Sequence, residues 1–209
     1  MSVASEVAKR LLQIKAIKLN LQNPFTWASG IQSPIYCDNR IILSHPNIRD
    51  YVVYCLEKKA EAMPEFDIVA GVATSGIAFG ALVADRLKKP MVYVRSKAKE
   101  HGRQNMIEGE LEGNEKVLVI EDLISTGGSS LKAVQALKDA GCDVIGVHAI
   151  FSYGFDKAKN SFDAAKCPFG TLTNYEELLQ EAVKSDYIKE EELVPLSNWA
   201  KAPAEWNAP

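Results

Sequence analysis

Four short apolar runs constrain this chain more than any other feature. FDIVAGV (66–72), MVYV (91–94), VLVI (117–120) and DVIGVHAIF (143–151) lack the strict in–out alternation of a strand with one wet face. Between them lie segments with helical spacing. IAFGALVADRLKK (77–89) follows the first run, and LKAVQALKDAG (131–141) follows the third; in the latter, Leu131, Val134 and Leu137 share a face and Gly141 suits a helix stop. Strands covered on both faces and alternating with helices predict an α/β fold with a mostly parallel central sheet flanked by helices. Ligands of such sheets sit beyond the carboxyl ends of the strands.

The remaining segments attach to that core. Val7, Leu11, Ile14 and Ile17 predict a helix over residues 6–17, whereas PFTWASGIQSPIYCDNRIIL (24–43) breaks the period with prolines and a glycine and predicts short strands or an extended loop. Ile48, Val52, Cys55 and Leu56 predict a second helix over 46–63. The tail holds a predicted helix over 175–184, an acidic stretch at 190–192 and an end containing proline and tryptophan. No repeat or low-complexity linker divides the 209 residues, so a single domain is expected.

A formal net charge of -3 provides no general field for nucleic acid, so any anion-binding surface must be local. Cys37, Cys55, Cys142 and Cys167 show no Cys-x-x-Cys pair and are read as reduced and mostly buried. The first residues, MSVASEVAKRLLQIKAI, interleave polar groups with apolar ones, which fits neither a secretory signal nor a membrane span and points to the cytoplasm.

The third run leads into VIEDLISTGGSS (119–130), where the predicted strand ends at Glu121 and Asp122, Ser125–Ser130 form a turn, and Leu131 opens a helix. Gly127 and Gly128 let the backbone close on an anion, and Ser125, Thr126, Ser129 and Ser130 add hydroxyl donors. The same composition also describes a plain strand-to-helix turn with a serine cap. Two acids beside a phosphate cradle make sense if the ligand carries vicinal hydroxyls near its phosphate, because carboxylates accept strongly from such groups. A ribose 5-phosphate has that layout.

The stretch resembles the phosphoribosyl pyrophosphate (PRPP) signature of the type I phosphoribosyltransferases. That resemblance implies the type I fold, with a small hood built from about residues 1–45 and the C-terminal segment over a core of about 46–160. It implies that Glu121 and Asp122 hold the ribose hydroxyls, that Ser125, Thr126, Gly127, Gly128 and Ser129 hold the 5-phosphate, and that Leu123 and Ile124 between them belong to the same substrate-binding stretch. Between the second and third runs lies the long segment RSKAKEHGRQNMIEGELEGNEK (95–116), in which Arg95, Lys97, Lys99, His101 and Arg103 alternate with other residues. A connection of this length is commonly a lid, and an alternating basic stripe presents several cations to one polyanion. RSKAKEHG (95–102) is similar to the catalytic loop of the orotate phosphoribosyltransferases. By that likeness Arg95, Lys99 and His101 contact the diphosphate, Lys99, His101 and Asp122 take part in catalysis, and the loop reaches the neighbouring active site of a homodimer.

FTWASGIQSPIYCDNR (25–40) resembles the orotate-side segment of the same enzymes, VATSG (72–76) stands where they carry a pyrophosphate loop, and Ser125 is the implied orotate contact. Some members have lysines where Ala28 and Ser75 stand, a second basic residue where Ser96 stands, and an arginine after the fourth run that FSYGF (151–155) lacks; those contacts are not carried over. The implied reaction transfers the 5-phosphoribosyl group of PRPP to orotate, giving orotidine 5'-monophosphate and pyrophosphate in pyrimidine (UMP) biosynthesis, with Mg²⁺ held mainly by PRPP. A purine or uracil phosphoribosyltransferase, or a PRPP-sensing regulator that binds nucleic acid, would share the PRPP loop. The basic loop argues against the first and the near-neutral charge against the second. His148, inside an apolar run, is read as a packed, hydrogen-bonded core residue, and His45 as a turn residue.

Overall fold

Ser2 accepts a hydrogen bond from the Ser5 N–H at 3.1 Å and so caps the first helix, α1 (Val3–Gln13). The structure is a computed structural model, and it describes residues 2–27, 30–97 and 106–206. Helix α1 ends earlier than the apolar spacing predicts. Lys15 takes a left-handed φ of 57°, and Ile17, fully buried, enters strand β1 (Ile17–Leu19) instead of completing the helical stripe. The proline-containing segment that follows forms β2 (Phe25–Thr26), β3 (Gln32–Ser33) and β4 (Ile35–Cys37), with β2 antiparallel to β3 and β1 antiparallel to β4. A 3-10 helix (Asn39–Ser44) leads to α2 (Pro46–Glu61), whose proline occupies the first turn, where no N–H partner is needed.

The predicted sheet follows. Its elements are β5 (Ile68–Val72), α3 (Ser75–Leu87), β6 (Met91–Val94), β7 (Ile107–Glu108), β8 (Lys116–Ile124), α4 (Gly128–Asp139), β9 (Asp143–Ser152), α5 (Asp156–Ala164) and β10 (Phe169–Asn174); helices α6 (Tyr175–Lys184) and α7 (Glu190–Lys201) close the chain. The strand order is β10-β9-β8-β5-β6-β7, and every pairing is parallel except β6 with β7. The four apolar runs are β5, β6, β8 and β9. Alternate residues of β8 and β9 feed two cores: Leu118, Ile120 and Ile150 pack with α1, α2, α3 and α6, whereas Val117, Val119, Val147 and Ala149 pack with α4 and α5.

Some boundaries differ from the sequence reading. Strand β8 continues through the two acids to Ile124, so the turn is only Ser125–Gly127 and α4 opens at Gly128 rather than Leu131. Helix α7 replaces what reads as an acidic stretch and a loose end. Pro195 lies inside it, and the fully buried Trp199 holds it against Trp27, Tyr153, Phe155 and Tyr175 at ring distances of 5.3–5.9 Å. The four cysteines are unpaired, and Cys55, Cys142 and Cys167 are buried. No helix among the described residues is long and apolar enough to cross a membrane.

His148 sits in the middle of β9 and is 4% exposed, as the apolar run predicts, but its Nδ1 has no hydrogen-bond partner among the described residues. Burial lowers its pKa to about 4, and the nearby Lys59 ammonium adds to that shift. As pH falls, the unfolded chain takes up the proton first, near pH 6.5, while the folded chain resists until about pH 4. This contribution is therefore complete above pH 6.5 and erodes toward pH 4, by roughly 3 kcal/mol at the bottom of the window. Urea midpoints measured from pH 7 to pH 4 should fall less steeply for His148→Gln than for the unmodified chain; equal slopes would show that His148 is not the titrating group.

Candidate active site

From β5 the chain runs through α3 to β6 on one side, then returns to β8 on the other side of β5 and continues to β9 and β10. The crevice between the carboxyl ends of β5 and β8 is thus the point where the winding reverses, the place where an open α/β sheet can admit a ligand between its loops. A cavity of about 380 Å³ opens there. One wall is Ala73–Ser75 after β5, another is Ser125–Ser130 after β8, a third is Cys37 at the end of β4 with Asp38 and Arg40 beyond it, and Glu121, Asp122 and Leu123 lie between them.

Two helices point their N-termini at this cavity, and both are left open. The first residues of α3 and α4 line the cavity, yet neither Thr74 nor Gly127, the capping residues, makes a side-chain capping bond, and neither first turn contains an acid. Of the other five α-helices among the described residues, three have closed starts: Ser2 caps α1, Asn174 caps α6, and Glu192 accepts the Lys189 N–H at α7. The starts of α2 and α5 also lack a side-chain cap, but α2 begins with Pro46, which has no N–H to satisfy, and α5 carries Asp156 in its first turn. Backbone donors in an uncapped first turn need a partner, and the helix dipole favours an anionic one. Gly127 is required for the loop to turn as it does. Its φ is 83°, and a Cβ there would meet the Phe162 ring at 2.8 Å, whereas a Cβ on Gly128 would meet nothing within 4 Å, because it would face the cavity.

Glu121 and Asp122, neighbours on β8, differ in environment. Glu121 is only 5% exposed; its Oε1 accepts the Asp122 N–H at 3.0 Å and its Oε2 accepts the Ser130 hydroxyl at 3.3 Å. Burial, followed by the charge of Asp122, pushes the Glu121 carboxyl well above the usual carboxylate range. Burial also raises Asp122, but a hydrogen bond from Glu121, backbone N–H groups and the Arg40 charge counter it. Burial thus favours the protonated form of both carboxyls, and more of the opposing contacts act on Asp122 than on Glu121. A buried pair of this kind resists carrying two negative charges, which reconciles an acidic strand end with open helix starts beside it.

The structure brings Glu121, Asp122, Leu123, Ser125, Thr126, Gly127, Gly128 and Ser129 to one cavity. The Ile124 side chain is 1% exposed and packs in the core, which leaves only its backbone to offer. Arg95 follows β6 and lines an adjoining cavity of about 250 Å³ that shares Ala73, Gly128 and Ser129 with the first; its Nη1 lies 3.6 Å from Glu108 Oε1. Lys99, His101 and Arg103 fall outside the described residues. A third cavity, of about 450 Å³, adjoins the loop at Ser125 and Thr126 and is lined by Trp27, Ile31 and Phe155 together with Lys157 and Lys201.

Sequence reasoning missed two contributions beyond β4. Asn39 Nδ2 donates to the Asp122 carbonyl at 2.8 Å and ties the N-terminal segment to the acid pair, and Arg40 lines the cavity. Both stand in the quoted segment 25–40, but the run Cys-Asp-Asn-Arg has no spacing that would reveal a contact 83 residues away in the chain.

Residues 39–185 match the family model of the phosphoribosyl transferase domain. The chain is 54% identical over 207 residues to an orotate phosphoribosyltransferase of Listeria innocua, covering 99% of each chain. It is 55% identical over 202 residues to an orotate phosphoribosyltransferase of Phocaeicola vulgatus, covering 96% of this chain and 95% of the other. The solved orotate phosphoribosyltransferase of Aeropyrum pernix superimposes with a TM-score of 0.75 at 26% identity, over 87% of this chain and 99% of that one.

Proposed function

Because this chain belongs to the phosphoribosyl transferase family, among the orotate phosphoribosyltransferases, we propose that its cavity holds PRPP between the two open helix ends. The 5-phosphate occupies the loop Ser125–Ser129 at the start of α4. The ribose hydroxyls lie on Asp122 and Glu121, and the diphosphate lies toward Ala73–Ser75 and the basic loop with Arg95, Lys99 and His101. Orotate stands on the Ser125 side, where the third cavity offers Trp27 and Phe155 as aromatic walls. The observation that carries this reading is the pair of uncapped helix N-termini flanking the buried acids at the switch point.

In the reaction, N1 of orotate forms a bond to C1 of the ribose as the C1–oxygen bond to diphosphate breaks, with inversion at C1. Positive charge develops on the ribose and negative charge on the leaving group. Asp122, anionic and next to the hydroxyls, lies where it stabilises the first, while helix N-termini and loop cations stabilise the second. No side chain needs to act as a covalent nucleophile.

Mg²⁺ prefers one or two carboxylates together with substrate phosphate oxygens, and the donor set here fits that pattern. Asp122, aided by Glu121, would hold the ion against PRPP; among the described residues no cluster of three or more ligating side chains would hold it alone. When bound, Mg²⁺ neutralises charge on the diphosphate. We further propose a cytoplasmic homodimer in which residues 95–116 of one subunit close over the active site of the other, and that closure excludes water from the reacting centre.

The test is the loss of orotate absorbance in the presence of PRPP and Mg²⁺, with adenine, hypoxanthine and uracil as competing acceptors. Consumption of orotate alone is expected; preference for another base, or binding without turnover, would overturn the assignment. Lys99→Ala should reduce kcat by on the order of 10²-fold or more with an unchanged thermal midpoint, since a group that stabilises developing charge is worth that much. Near-normal turnover in this variant would refute the lid role.

A further inference from the structure

Arg40 is the only cation among the described residues that line the main cavity, where it faces three carboxyl groups, those of Asp38, Glu121 and Asp122. Its guanidinium is fixed. Nε donates to Asp38 Oδ1 at 2.7 Å and Nη2 donates to Asp38 Oδ2 at 2.8 Å, while the Arg40 N–H also donates to Asp38 Oδ1 at 3.1 Å. The next residue back, Asn39, is tied to the Asp122 carbonyl, so the backbone carrying Arg40 is anchored to the strand end that bears the acids. This two-point clamp uses one side of the planar fork and leaves the outer N–H donors free, in the arrangement that suits a phosphate or carboxylate. The side chain remains 61% exposed, which gives an incoming anion access to it.

Its location selects the anion. Asn39 donates to the Asp122 carbonyl at 2.8 Å, which sets the backbone carrying Arg40 beside the acid pair, at the sugar-hydroxyl end of the cavity. The wall completing that end, Thr74 and Ser75, has hydroxyl groups but no positive charge. The aromatic cavity assigned to the base has its own cations, Lys157 and Lys201, and does not include Arg40. From this arrangement we propose that Arg40, oriented by Asp38, is a substrate-binding residue that grips the diphosphate of PRPP, and of the pyrophosphate product, from the wall opposite α3. The proposal rests on the PRPP placement above.

The test uses the full chain with Mg²⁺ and compares Arg40→Ala, Arg40→Lys and Asp38→Asn. Arg40→Ala should raise KM for PRPP and the inhibition constant of inorganic pyrophosphate roughly 10-fold, the loss expected for one charge-assisted contact, while KM for orotate stays within about twofold. Arg40→Lys should recover only part of this, because an ammonium lacks the fork, and Asp38→Asn should fall between the two because the fork loses its orientation. Thermal midpoints should move little, since the Arg40 side chain is exposed and an asparagine at 38 can still accept the Arg40 N–H. Unchanged pyrophosphate inhibition, or a rise confined to KM for orotate, would overturn the proposal. Titration of Mg-pyrophosphate by calorimetry into the unmodified chain and Arg40→Ala reads the same contact without turnover. If the unmodified chain binds pyrophosphate and Arg40→Ala does not, yet orotate is never consumed, the acceptor assignment fails and the Arg40 contact stands; equal binding, or none to either, removes the contact.

Discussion

Asp122→Asn should lower kcat/KM for PRPP by about 10²-fold while the chain stays folded. In the proposed placement, the carboxylate of Asp122 is the acceptor for the ribose hydroxyls. Hydrogen bonds to a charged acceptor contribute about 1.5–3 kcal/mol each, and an amide both weakens the acceptor and presents an N–H where a hydroxyl needs a lone pair. A loss near 3 kcal/mol corresponds to about two decades in affinity or rate. Glu121 should respond as well. Without a charged neighbour its carboxyl is raised less, because the Asp122 charge is the second cause of its shift after burial. Orotate absorbance kinetics together with calorimetric titration of PRPP would check this outcome, and full activity with unchanged PRPP affinity would remove Asp122 from the ribose site.

The second large effect is structural. A Cβ on Gly76 would lie 2.6 Å from the Ile120 carbonyl and 3.2 Å from the Glu121 Cα, both of them backbone atoms of the central strand β8. Gly71 and Gly80 add similar closeness between α3 and β5, with a Gly71 Cβ only 2.9 Å from the Gly76 carbonyl. Helix α3 therefore rests directly on the sheet, and this seating holds Thr74 and Ser75 opposite the acids. Gly76→Ala should cost about 3 kcal/mol through overpacking that no side-chain rotation relieves. For a domain of this size that is a fall of roughly 6–12 °C in thermal midpoint. Gly128→Ala is the contrast. Open space surrounds its Cβ position, so stability should hold while PRPP affinity falls, because the new methyl group stands where the phosphate would approach. If Gly76→Ala melted with the unmodified chain, the seating of α3 would be looser than these distances imply.

Much of the fold is legible because apolar runs and their spacing are local properties. The runs at 66–72, 91–94, 117–120 and 143–151 are strands of one sheet, and helix α6 spans residues 175–184 as its spacing predicts. The misread parts are those whose local signal conflicts with tertiary packing. Ile17 fits a helical stripe but is buried in β1, and Pro195 masks α7, which is held by the burial of Trp199. The acid pair and the Ser125–Ser129 loop are legible for a different reason: they are contiguous, so one stretch of chain displays both.

Taken alone, then, the order of residues determined the alternation of buried strands and helices, the glycines that free the backbone at 127 and 128, and the adjacency of acids to a loop of glycines and hydroxyls, since each depends on chemistry within a few neighbours. Only the folded chain decided that Arg40 and Asn39 meet the acids from 83 or so positions away, that α3 brings a second open helix end to the same cavity, and that burial raises the Glu121 carboxyl. Those outcomes depend on desolvation and on distances across the sheet, and neither quantity exists until the chain has closed around them.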